Sequence, residues 1–320
     1  MEEVTPQKPK SKLNPQLWSR QKDKKILKIL QWFGAGLIIL ILLSASIIVI
    51  KDEILYMVGY YDDYGYEDEY YEDDYGYEED YATSFSEMDC NVAGIEFLGT
   101  LVTYISNENL DEAGYPLVDE VSSQEIAVGI RDAETSNNIK AIILEIDSYG
   151  GYPVAAEEVA NALRKAKKPT VVFIREGAVS AAYWAATGAD TIFASRNSDI
   201  GSIGVTMSYL DYSDQNQAEG IKYISLSSAK YKDSGDPDRP LTAEEEELFM
   251  RDVNILHENF VKVVSDYRGL DIEKVREIAD GSTVLGQTAL ELGLIDKIGG
   301  FYDVKDYLGE MLGEEVEVCW

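Results

Sequence analysis

The sequence predicts an α/β domain with a largely parallel sheet and flanking helices, preceded by one transmembrane helix. Three observations carry this reading. Lys140-Ala-Ile-Ile-Leu-Glu-Ile146 and Thr170-Val-Val-Phe-Ile174 are short β-branched apolar runs, of the kind buried on both faces of a sheet. Stretches with helical spacing lie between such runs, and repeated strand–helix–strand units imply parallel strands. Trp32 to Ile50 is nineteen residues without a charge. At about 1.5 Å per residue, that is enough to cross a bilayer core of roughly 30 Å.

From the N-terminus, residues 1–31 read as a basic tail, with eight Lys and Arg against three Asp and Glu in 1–28. Such a polar, Lys- and Gln-rich stretch buries no core. Lysines at 22, 24, 25 and 28 precede the apolar run, and Lys51-Asp52-Glu53 follows it. The positive-inside rule then keeps the tail cytosolic and exports the rest, so the expected protein is single-pass in the cell membrane with its folded part extracytoplasmic. A cleaved signal peptide has a shorter apolar core with small residues behind it. Here Ser44-Ala45-Ser46 falls inside the run, which favours an uncleaved signal anchor over 32–50. Residues 51–89 are expected to be a linker. Within them, 59–81 hold nine tyrosines, eleven acids and no base, and Tyr60–Glu69 is nearly repeated by Tyr70–Glu79. That composition repels itself and reads as a solvated spacer, with capture of a basic partner or a cation as the rival reading. A formal net charge of −31 argues against a nucleic-acid partner.

The folded part is expected over 90–320. Val92–Ile105 carries a strand pattern, and Ser122-Ser-Gln-Glu125 opens a helix that runs to Thr135. Strand 140–146 leads into Asp147-Ser-Tyr-Gly-Gly151. Pro153–Lys168 reads as a helix, with Pro in its first turn and lysines in its last. After strand 170–174 come Gly177–Trp184, a helix of small residues, and the strand Thr191–Ala194. Ile200–Val205 is a Gly-punctuated strand start, Ile221–Leu226 a further β-rich stretch, and Ser227–Pro240 a polar loop. Thr242-Ala-Glu-Glu245 caps a helix to about Arg268, and two or three short helices with a strand near Leu294–Asp296 complete the chain. Cys90 and Cys319 lie at the two ends of this part. A disulfide outside the cytosol and two unrelated thiols are both compatible with the spacing. With no CxxC and no His/Cys cluster, neither a metal nor a cofactor is implied.

Sites in parallel sheets form in the loops after the carboxyl ends of strands, here Ser148–Gly151 and Gly177–Ser180. A serine between strand and helix faces unpaired N–H groups and the positive end of the helix dipole. A nucleophile there can face an oxyanion hole, although serine is also an ordinary N-cap. The hydroxyl needs a base before it can attack. The one histidine, His257, sits mid-helix in an acidic and apolar stretch and reads as a surface or half-buried helix residue. The other base is a lysine kept neutral by burial. Lys230 and Lys232 both qualify, and pattern alone neither chooses between them nor distinguishes them from ordinary surface lysines.

Over residues 93–310 the sequence resembles the signal peptide peptidase A (protease IV) family of membrane-anchored serine proteases, in its short single-domain form. Ser148-Tyr-Gly-Gly151 is similar to the family's S-P-G-G oxyanion loop. Gly177–Trp184 puts Ser180 at the nucleophile, and Ile200-Gly-Ser-Ile-Gly-Val205 continues the match. Lys232 is followed by Pro237, Arg239 and Thr242 at the family's offsets, which selects it over Lys230. Asp280-Gly281, Gly286-Gln287, Ala289, Gly293-Leu-Ile-Asp296 and Gly299 follow the family too.

The resemblance implies a crotonase/Clp-like fold and a Ser–Lys dyad, with Ser180 as nucleophile and Lys232 as base. Oxyanion donors would be the N–H groups of Gly151 and Ala181, with Gly150 shaping the loop and Ser202 orienting the lysine. It further implies released signal peptides or other unstructured hydrophobic peptides as substrates, and a homo-oligomer. Tyr149 stands where the family commonly has Pro, which either loosens the loop or puts a ring in the substrate pocket. A catalytically weak relative that serves as a membrane scaffold is the corresponding second reading.

Overall fold

The computed structural model describes residues 85, 88–106, 109 and 118–320. The basic tail, the expected membrane helix at 32–50 and nearly all of the 51–89 linker lie outside them. Among the described residues, no helix is long and apolar enough to cross a membrane.

The chain begins its folded part with β1 (Val92–Leu98) and β2 (Thr100–Val102), then β3 (Glu120–Ser122) and α1 (Ser123–Thr135). Ser122 caps α1, its Oγ accepting from the Glu125 N–H at 3.3 Å. Next come β4 (Ala141–Ser148), α2 (Pro153–Lys165), β5 (Thr170–Val179), α3 (Ala181–Ala186), β6 (Thr191–Ala194) and β7 (Asp199–Gly201). A long, largely coiled arm holding α4 (Ser213–Glu219) leads to α5 (Ala243–Arg268). Thr242 and Glu245 form the expected capping box there. The remainder is α6 (Ile272–Ile278), β8 (Thr283–Leu285), α7 (Gly286–Leu292), β9 (Lys297–Ile298), α8 (Phe301–Leu312) and β10 (Val318–Cys319).

The main sheet runs in the order β10-β1-β4-β5-β6-β9, all parallel, as the buried apolar runs imply. Alternate residues of its strands feed two cores. Ile142, Leu144, Ile146, Val172 and Ile174 meet Ile126, Val159, Trp184 and Phe260 from α1, α2, α3 and α5. Ala141, Ile143, Val171 and Phe173 meet Val304 and Leu308 of α8. Both faces are covered, so the strands show no polar alternation. Burying each large side chain contributes about 1.5–3 kcal/mol.

Three segments depart from the sequence reading. β5 continues to Val179, five residues past Ile174, because Gly177–Val179 pairs with β7 and Ala178 pairs with Ser148 after a register shift. The apolar pattern hides this extension because Arg175 turns outward to Glu145, at 2.9 Å. β7 stops at Gly201, where φ of 95° and 50° at Gly201 and Ser202 turn the chain. Ile221–Leu226 is not a strand: it pairs with no strand among the described residues, and Ile224 and Leu226 are 76% and 95% exposed. Cys90 and Cys319 are joined in a disulfide with Cα atoms 5.9 Å apart. It closes β10 onto β1 in the register Val92 to Val318.

Candidate active site

Ser180 ends β5 and starts α3 with φ 55° and ψ −122°. L-residues avoid this region, at a cost of order 1–3 kcal/mol. Neighbouring structure enforces it. The Ser180 N–H donates to the Gly201 carbonyl (2.7 Å), and its own carbonyl accepts from Trp184 N–H (3.0 Å). All of α3 is buried. Trp184 stacks on Phe260 with centroids 4.9 Å apart, and the Tyr183 hydroxyl donates to the Leu294 carbonyl (2.9 Å). Burial pushes that phenol well above the usual tyrosine range, so it stays a donor. The Ser180 side chain makes no capping bond to the helix, so the N-cap reading fails and the hydroxyl is left available.

The two-glycine loop lies against this turn. Gly150 and Gly151 have φ of 129° and 156°. A Cβ on Gly151 would overlap the Leu101 carbonyl oxygen and lie 2.7 Å from its carbon, whereas one on Gly150 would lie 3.2 Å from Ser180 Cβ. The Gly150 N–H donates to Ser148 Oγ (3.2 Å), and its carbonyl accepts from Leu101 N–H (2.9 Å). Gly150 therefore shapes the loop. The N–H groups of Gly151 and Ala181 have no acceptor among the described residues, Ala181 being the first residue of α3. Two unpaired donors beside a serine hydroxyl are what an oxyanion hole requires. Tyr149 is 67% exposed and stands over Gly177. Its ring does not line the cavity at Ser180.

That cavity, of about 760 Å³, is lined by Gly151, Ser180, Ala181 and Ser202 together, with apolar walls that include Trp184 and Phe260. Ser202 Oγ donates to the Gly281 carbonyl (2.8 Å), and its N–H donates to the Ser282 carbonyl (3.0 Å). A hydroxyl held this way keeps its lone pairs for an incoming ammonium. Asp280, also on the wall, accepts from Ser282 N–H and Oγ at 2.9 and 2.6 Å. These bonds hold its carboxyl below the usual carboxylate range.

Sequence reasoning missed α5 as a cavity wall. Val253, Leu256, His257 and Phe260 share one face of it, and that i, i+3, i+4, i+7 spacing was the available signal. His257 is half-buried, and its Nε2 lies 3.0 Å from the Ala279 carbonyl. A carbonyl only accepts, so Nε2 carries the proton.

The two lysines differ. Lys230 pairs with Glu244 at 3.0 Å, and its hydrogen bonds, to Tyr231 first and to Glu244, hold it above the usual lysine range. A cation so stabilised is a poor base. The Lys232 N–H donates to the Ala229 carbonyl (3.2 Å), but its side chain has no hydrogen-bond or ion-pair partner among the described residues. It is exposed, and within one chain it is not part of the cavity wall at Ser180.

Residues 162–314 match the profile of Peptidase family S49. A protein of Methanocaldococcus jannaschii that bears the name of a protease is 36% identical over 170 residues, 52% of this chain and 55% of that one. An Enterococcus faecium protein named signal peptide peptidase SppA is 31% identical over 193 residues, 59% of this chain and 56% of its own length. Protease 4 of Haemophilus influenzae is 27% identical over 213 residues, 63% of this chain and 34% of that one. The chain thus spans about half the length, or less, of these relatives. Over residues 162–314, just under half of its length, the chain is similar to Peptidase family S49, and the relatives it matches bear the names of proteases, a signal peptide peptidase SppA and a Protease 4 among them.

Proposed function

We propose that the protein is a membrane-anchored serine endopeptidase of crotonase/Clp-like fold that hydrolyses released signal peptides or other unstructured hydrophobic peptides with a Ser180–Lys232 dyad. The observation that carries the reading is the strained Ser180 turn facing the unpaired N–H groups of Gly151 and Ala181. The apolar cavity walls support an apolar substrate. The disulfide supports a domain held outside the reducing cytosol, in keeping with the expected anchor at 32–50.

In the reaction, the Lys232 amine takes the Ser180 proton as Oγ bonds to the scissile carbonyl carbon. The two N–H donors receive the oxyanion, and losing one such donor typically costs about 2.7–4 kcal/mol of barrier. Collapse breaks the C–N bond, and the lysine ammonium protonates the departing amine. Water then attacks the acyl ester, giving one proton to Lys232, and Ser180 leaves reprotonated. In this reading Ser202, whose Oγ donates to the Gly281 carbonyl, orients the lysine once the amine reaches the cavity.

Lys232 rides on an exposed arm that also leaves Met207, Tyr209, Leu210, Ile221, Ile224 and Leu226 largely in solvent. A homo-oligomer that covers this apolar surface would seat the arm, and seating it is the step that brings the amine to a serine cavity. The second reading, a catalytically weak scaffold, is motivated by Tyr149 in the oxyanion loop.

Labelling of the full-length protein in detergent with a fluorophosphonate probe, beside Ser180→Ala and Lys232→Ala, separates the two. Stoichiometric labelling lost in both variants is expected. No labelling of the unaltered protein would favour the scaffold.

A further inference from the structure

The turn that carries Lys232 is fastened by the ion pair of half-buried Arg239 with buried Glu245. Arg239 presents its guanidinium fork to Glu245, with Nη1 2.9 Å from Oε2 and Nη2 2.6 Å from Oε1. The same guanidinium donates to the Asp233 carbonyl (2.5 Å) and, through Nε, to the Asp233 carboxylate (3.4 Å). Ser234 Oγ donates to Glu245 at 2.9 Å, and the Tyr223 hydroxyl donates to Asp233 at 2.7 Å. Both residues that follow Lys232 are therefore tied to this pair. Glu245 is only 4% exposed. Thr242 N–H and Oγ donate to it as well, at 2.9 and 3.0 Å, so its carboxylate accepts five hydrogen bonds. Those bonds, Arg239's first, hold the carboxyl well below the usual range. Glu245 belongs to the first turn of α5, and roughly 16 Å further along the same helix Leu256 and His257 form the serine-cavity wall.

A forked guanidinium–carboxylate pair fixes direction as well as distance, which a point charge does not. We propose that Arg239 and Glu245 are positioning residues for the general base: their paired bonds fix the Lys232 turn to the start of α5, so the amine is presented from a rigid helix end. The inference rests on the Ser180–Lys232 reading above. Releasing the turn lowers the fraction of time the base is in place. It therefore reduces kcat and kcat/KM together and leaves KM near its original value.

The experiment measures peptide hydrolysis by full-length protein in detergent for Lys232→Ala, Arg239→Ala and Glu245→Gln. Glu244→Gln serves as a control on the exposed pair with Lys230. The expected result is a roughly 10- to 100-fold fall in kcat for the Arg239 and Glu245 variants at nearly constant KM, with Glu244→Gln unchanged. Should Arg239→Ala fail to accumulate as folded protein, Arg239→Lys replaces it, since it keeps the charge without the fork and should lose kcat in the same way. Unaltered kcat in a folded Arg239 variant, or a loss confined to KM, overturns the positioning role and leaves the dyad standing. Full activity in Lys232→Ala overturns the dyad instead.

Discussion

Gly151→Ala is the sharpest test of the loop geometry. The new methyl would overlap the Leu101 carbonyl oxygen, lie 2.7 Å from Leu101 Cβ and sit at φ 156°. The overlap is with backbone, so no side chain can rotate away to relieve it. Left-handed strain costs about 1–3 kcal/mol, and overpacking costs about 1–3 kcal/mol more. A total of roughly 2–6 kcal/mol leaves most domains folded at 25 °C. For a domain of this size it lowers Tm by about 5–20 °C. Shifting the Gly151 N–H from its aim should also cut kcat by about 10²–10³. Thermal unfolding and peptide hydrolysis, read on the same preparation, check both numbers. A folded Gly151→Ala protein with unaltered kcat would refute the assignment of this N–H as an oxyanion donor.

Ser180→Gly relieves a strained φ at the expense of a more flexible unfolded chain, and should raise Tm by about 2–4 °C while abolishing hydrolysis; a fall in Tm would show that the turn is not strained. Reducing Cys90–Cys319 opens a covalent loop spanning 229 residues, and denaturant titration with and without reductant should show a loss of about 2–5 kcal/mol. The Glu245 carboxyl is held low by its bonds in the folded state. The stability it contributes is therefore complete above the unfolded value of 4.5 and is lost as pH falls below it. Melting curves from about pH 6 to 3 should show a decline that is shallower in Glu245→Gln; equal slopes in the two proteins would remove Glu245 as its source.

The strands were legible because both faces of the sheet are buried, so composition alone marks Ala141–Ile146 and Thr170–Ile174. Helix starts were legible at Ser122 and Thr242, where capping chemistry is local. What escaped was non-local. Gly177–Val179 is extended only because Asp199–Gly201 lies beside it. Ile221–Leu226 has strand composition but pairs with no strand among the described residues. The site shows the same division. The family resemblance pointed to Ser180, Gly151, Ala181 and Ser202, which line one cavity, and to Gly150, which lies against Ser180. The α5 wall, His257 included, depends on how a helix about 75 residues downstream packs on Trp184. Lys232 stands apart, on an arm whose apolar side chains are exposed.

The bond between Cys90 and Cys319 turns nearly the whole folded part into one closed covalent circle. A single cut anywhere on that circle, for instance in the exposed arm around Leu226, releases no fragment. The nicked molecule would migrate as one species until a reductant separates it into two. Were the exposed arm to be cut, by this protein or another, the segments that carry Ser180 and Lys232 would stay attached to each other.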